Sequence, residues 1–129
     1  MIDEVMRSLL SAIPVVNTEI TKHIYPALVP ERCKTNAIRY TVEDKPQELD
    51  AQGPDGYEVS VLQIDVYHKK YSKNRQLTRA IHKELHGYIG NHGSTQINLI
   101  EFIDSDLLYE KKTDEYRAIL TFNINYREI

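Results

Sequence analysis

"YEVSVLQIDVYHKKYSKNR", Tyr57 to Arg75, changes its hydrophobic period halfway along. In its first part Leu62, Ile64 and Val66 fall on one side, and Val59, Val61, Gln63, Asp65 and Tyr67 on the other. A period of two is that of a strand, so a strand is expected over residues 57–69. Its second side is semi-polar, suited to water or to another subunit rather than to a uniform core. From Ser72 the period becomes helical: Leu77, Ala80, Ile81, Leu85 and Tyr88 make one stripe. This predicts a helix over about 72–89, with Ser72 as N-cap and Gly87, Gly90 and Gly93 as stop signals. Between the two periods stand Lys69, Lys70, Lys73 and Arg75, with His68 and the aromatics Tyr67 and Tyr71. Bases interleaved with aromatics are the usual pattern of a nucleic-acid surface.

Outward from this segment the pattern is regular. Ile2, Val5, Met6, Leu9, Leu10 and Ile13 share one helical face, so residues 2–13 read as an amphipathic helix stopped by Pro14. "TKHIYPALVPERCKTN" reads as irregular, held extended or turned by Pro26 and Pro30. "AIRYTV", 37–42, is a strand by alternation, and 43–56 is a long polar loop punctuated by Pro46, Gly53, Pro54 and Gly56. After the second helix, "TQINLIEFI" is a third strand and "DSDLLYEKKTDE" a charged connection. "YRAILTFNINY" is a last strand, with Tyr116, Ala118, Leu120, Phe122, Ile124 and Tyr126 on one face. The order α-β-β-α-β-β predicts a single α+β domain over 1–129. Two helices are expected on one face of an antiparallel or mixed sheet of about four strands.

The 129 residues are 41% apolar and 27% charged, with a net charge of -3. That balance excludes global disorder and argues against a chain devoted to gripping phosphates nonspecifically. One cysteine, Cys33, allows no intramolecular disulfide and no cysteine-rich zinc site. No apolar run reaches the roughly 18 residues of a membrane span. The N-terminus carries Asp3 and Glu4 where a signal peptide carries positive charge, so synthesis in a cytoplasm is expected.

No catalytic, cofactor or metal site is expected. His82 and His86 share a helix face but have no third ligand at a helpful spacing and read as solvated. The glycines of 87–93 follow a helix, whereas a phosphate-cradling loop precedes one. Glu101, Asp104 and Asp106 read as charged residues at a strand end. Cys33 and His23 lack the local orientation that a nucleophile and base need.

Four stretches carry a resemblance. They are "HIYPALVP" (23–30), "DAQGPDGYEVSVLQIDVYHKKYSKNRQL" (50–77), "IHKELHGYIG" (81–90) and "DLLYEKKTDEYRAILTFNINYRE" (106–128). In this order they resemble the tail-completion, or tail-terminator, family of long-tailed bacteriophages and gene transfer agents, nearly end to end. Tyr25-Pro26, Leu62 to Tyr67, Leu85 to Gly87 and Tyr116 to Tyr126 are the matching segments. Tyr67 replaces a common tryptophan, Thr113-Asp114-Glu115 replaces a common Thr-Gly turn, and His68, Lys69 and Lys70 make the strand end more basic than in the family pattern.

The resemblance implies a structural virion protein that stops growth of the tail tube and forms its head-proximal end. Its implied partners are further copies of itself, usually six in a ring, the tail tube protein, and the head-tail connector or stopper. DNA passes through the channel without specific binding, and no membrane is involved. Such a chain can stay monomeric until it meets the tube. The candidate subunit interface is Val59, Val61, Asp65, Tyr67, Lys69, Lys70, Lys73 and Arg75. The candidate loop for tail-tube or neck contact holds Glu43, Asp44, Glu48, Asp50 and Asp55. In a head-to-tail ring, that acidic loop would face a neighbour's basic segment. The competing readings are a nucleic-acid-binding module using 67–75 and a small hydrolase, which would need a polar cleft with perturbed titratable groups.

Overall fold

The computed structural model describes residues 2–20, 23–26, 36–44 and 58–128. In chain order these form α1 (Ile2–Ser11), α2 (Pro14–Glu19), β1 (Ile24–Pro26), β2 (Ala37–Asp44), β3 (Glu58–His68), α3 (Tyr71–Leu85), β4 (Gly90–His92), β5 (Thr95–Glu110) and β6 (Glu115–Glu128). The strands make one six-stranded sheet in the order β1-β2-β3-β6-β5-β4. β1 runs parallel to β2, and every other neighbouring pair is antiparallel.

The alternation read from sequence becomes rows across the sheet. Ile38 lies beside Val66 and Val66 beside Ala118; Tyr40, Ile64 and Leu120 form the next row, and Val42, Leu62 and Phe122 the next. This inner face joins Met6 and Leu10 of α1, Val16 of α2, and Leu77, Ile81 and Leu85 of α3 in one apolar cluster. Burying each such side chain contributes about 1.5–3 kcal/mol. Asn74 is a buried polar group beside them: its Nδ2 donates to the carbonyls of Val66 (2.9 Å) and Tyr116 (3.2 Å), tying α3 to two strands.

The mixed α+β class stands, but the described residues form a sheet of six strands and three helices. Pro14 does not simply end helix; it opens α2 at its first turn, where its missing N–H is no loss. β1 and β4 have three residues each, too few to show a period, and exist through their neighbours. β2 continues to Asp44, so Glu43 and Asp44 belong to a strand and not to a loop.

The largest correction concerns β5. "DSDLLYEKK" is strand to Glu110, because a bulge between Phe102 and Asp104 shifts the phase and turns Asp104 and Asp106 away from the core. Only 111–114 remain as the turn, with Asp114 in the left-handed region (φ 52°).

α3 starts at Tyr71 with Lys70 as N-cap, not Ser72, and ends at Leu85, where Gly87 (φ 81°) takes the chain out of the helix. Glu48, Asp50, Asp55 and Cys33 lie outside the described residues.

Candidate functional site

All three helices share the inner-face cluster, so the other face of the sheet is free of helix among the described residues. Its rows follow from the register. Ala37, Tyr67, Arg117 and Leu108 form one; Arg39, Asp65, Ile119 and Asp106 the next; Thr41, Gln63, Thr121 and Asp104 a third; Glu43, Val61, Asn123 and Glu101 a fourth. Val59 lies beyond them, opposite Asn125. Val59, Val61, Asp65 and Tyr67 of the expected interface are therefore coplanar, on the semi-polar side read from the sequence.

Asp65 is nevertheless only 1% exposed. Its Oδ2 accepts from Arg39 Nε (2.9 Å), from Arg39 Nη2 and from Arg117 Nη2 (3.0 Å), and Gln63 Nε2 donates to its Oδ1 (3.1 Å). One buried carboxylate thus ties three strands together, and its two cations stay about a quarter exposed. Arg117 also lies 5.6 Å from the Tyr67 ring centre and 3.8 Å from Glu110 Oε1. Burial is the largest influence on Arg117 and opposes its charge, but the bond and charge of Asp65, with Tyr67 and Glu110, together outweigh it and its pKa rises. Burial, ahead of the neighbouring charges, raises the Tyr67 phenol. Asp65 is committed within its own chain, and Arg39, Arg117 and Tyr67 are the groups it presents. The sequence places Arg39 and Arg117 opposite core faces; it does not reveal the register that brings them to one carboxylate.

The basic segment divides. Lys73 Nζ turns back to Glu19 Oε1 (3.2 Å), whose other oxygen is 3.4 Å from Nε2 of the buried His68. The hydrogen bond from Lys73, against some burial, and then His68 lower the pKa of Glu19. Lys69 and Lys70 are exposed at the strand end, at the same end of the sheet as Lys111 and Lys112. Tyr71 packs edge-on against Tyr116 (5.4 Å), and Tyr116 against Tyr109 (5.2 Å). Arg75 points outward from α3, in line with Tyr71 and Arg79 at four-residue steps. Glu43 is exposed toward the opposite end of the sheet from Lys69, about 26 Å away along β3 for the eight residues from its partner Val61.

Beyond the short β4 pairing, the outer edge of β5 has no strand partner among the described residues. Asp104 and Asp106 accept the N–H groups of Ser105 (2.8 Å) and Leu107 (2.9 Å), a polar edge that discourages strand addition. His86 Nδ1 accepts the Phe102 N–H (3.0 Å) and His82 packs on the Phe102 ring (4.2 Å), so these histidines dress the same edge. Among the described residues no three His, Cys, Asp or Glu side chains come together as metal ligands, and no helix is long and apolar enough to cross a membrane.

The described residues thus form a two-layer α+β arrangement with one sheet face free of helix. The chain belongs to the family Tail completion protein gp17, which matches residues 4–127. Membership makes it a structural protein of the phage tail and places it in the virion. The fold is similar to a chain in the virion of a native gene transfer agent particle. That likeness has a TM-score of 0.71 at 17% identity and covers 92% of this chain and 89% of the other. A second solved structure is similar at a TM-score of 0.64 and 8% identity, covering 98% of this chain and 96% of its own. No curated protein matches in sequence.

Proposed function

We propose that this chain terminates the tail tube and forms its head-proximal end, as a ring of six copies around the DNA channel, joining the tail to the head-tail connector. The observation that carries the reading is an outer sheet face free of helix among the described residues, in a member of the tail completion family. A ring needs two different surfaces on one chain whose rotation closes. Val59, Val61 and Tyr67, with the Arg39–Asp65–Arg117 cluster, supply one such surface; Lys69, Lys70 and Arg75 lie toward the other, while Lys73 is held to Glu19. Glu43 and Asp44, with Glu48, Asp50 and Asp55 of the acidic loop, are assigned to the tail tube or neck. The free chain stays monomeric until it meets the tube, and DNA passes without being gripped.

Deletion of 46–53 tests this reading. The expected product is a folded chain that cannot complete tails; normal infectious particles would overturn the loop's role.

A second reading is supported by the clustering of Lys69, Lys70, Lys111 and Lys112 at the end of the sheet that holds the three packed tyrosines. It makes that end a nucleic-acid surface. It predicts DNA binding that weakens steeply with salt, whereas a conduit shows little binding even at low salt.

A further inference from the structure

We infer that the subunit contact seats the outer sheet face of one copy, at its β5 border, on the exposed stripe of α3 in the next copy. The inference rests on the ring reading above and adds the residues that pair.

Three observations converge. The first is the layering. The inner face of the sheet is covered by all three helices, while the outer face has no helix over it among the described residues. That face still offers part-buried Val59, Val61 and Ile119, and exposed Leu108. A helix from another copy would complete the usual burial of a two-sided sheet.

The second is charge. Glu101, Asp104 and Asp106 line the β5 border of this face without an ion-pair partner among the described residues. Arg75 and Arg79 of α3 are exposed and equally unpaired, beside Tyr71, which is 50% exposed.

The third is spacing. Arg75 and Arg79 are one helical step of four apart, about 6 Å along the axis. Asp104 and Asp106 are two strand residues apart, about 6.7 Å. The two pairs therefore match in sign and in pitch. The patches differ, one on the sheet and one on α3, with Arg75 and Asp106 lining a common pocket of their own chain, so the contact is head-to-tail and able to close into a ring. Complementary charge of this kind fixes partner and register more than affinity.

The test uses the full chain in two reversed forms, Asp104→Arg with Asp106→Arg, and Arg75→Glu with Arg79→Glu. All four positions are exposed, and circular dichroism checks that each form folds. Each is added to tail tubes made without this chain, and rings are counted by electron microscopy. Each reversed form alone should fail to form rings. An equal mixture should restore them, because each reversed patch then meets its complement on the other form in an alternating ring. Rings from either form alone, or no rings from the folded mixture, would overturn this contact while rings of the unaltered chain keep the ring reading intact. Absence of rings from the unaltered chain would overturn both.

Discussion

Arg117 Nη2 donates to Asp65 Oδ2 at 3.0 Å from 52 residues away, and Arg39 bonds the same oxygen from the opposite neighbouring strand. A carboxylate that is 1% exposed thereby fixes the middle of the outer face, and its two arginines stay about a quarter exposed there.

Removing the shared partner should be worse than removing either cation. Asp65→Ala leaves two guanidinium groups without their acceptor and should destabilise the chain by about 2–4 kcal/mol. Arg39→Ala and Arg117→Ala should each do less, because the other arginine still holds the carboxylate. Urea midpoints of the three variants check the order; equal losses would contradict a shared carboxylate.

Asn74 is fully buried and serves two carbonyls at the ends of β3 and β6. Asn74→Leu keeps much of the volume but strands both acceptors, so a loss of about 1–3 kcal/mol is expected by thermal or urea unfolding.

Glu19 gives a pH dependence. Its pKa is lowered in the folded chain by the hydrogen bond from Lys73 and, after opposing burial, by His68. A depressed carboxyl pKa stabilises the fold above its unfolded value, near ~4.3, and that stability is lost as pH falls through the lower folded value. Glu19→Gln should therefore be less stable than the parent at pH 7 by about 0.2–1 kcal/mol, the range of a partly exposed pair. The gap should close in acid, below the folded pKa. Urea unfolding of both chains between pH 3 and 7 measures it; a gap that widens in acid would contradict the assignment.

Gly87 sits at φ 81° just past α3, and a Cβ there would meet no atom within 4 Å. Gly87→Ala therefore tests backbone conformation alone and should cost about 1 kcal/mol, read as a lowered melting temperature.

How far the sequence carried the fold depends on period. β3 and β6 were legible because Leu62-Ile64-Val66 and Ala118-Leu120-Phe122 alternate without interruption and face one core. β5 was legible only to Ile103, since the bulge at Phe102 breaks its phase and its far half is an exposed edge with no buried side to mark it. β1 was hidden because "IYP" is a strand by virtue of β2, through pairing that no local pattern encodes. The same limit hid the chemistry of the outer face. Asp65 was visible as a polar residue on a strand, but Arg39 and Arg117 reach it only through the register of β2, β3 and β6. Lys73 was grouped with its basic neighbours in sequence, whereas the helix turns it toward Glu19.

The central claim is that copies of this chain end the tail tube. Cryo-electron microscopy of purified particles, made with and without the chain, measures it most directly. The account predicts one ring of six copies at the head-proximal end, and unjoined tails when the chain is missing. Copies spread along the tube, or joined and infectious particles without the chain, would contradict it.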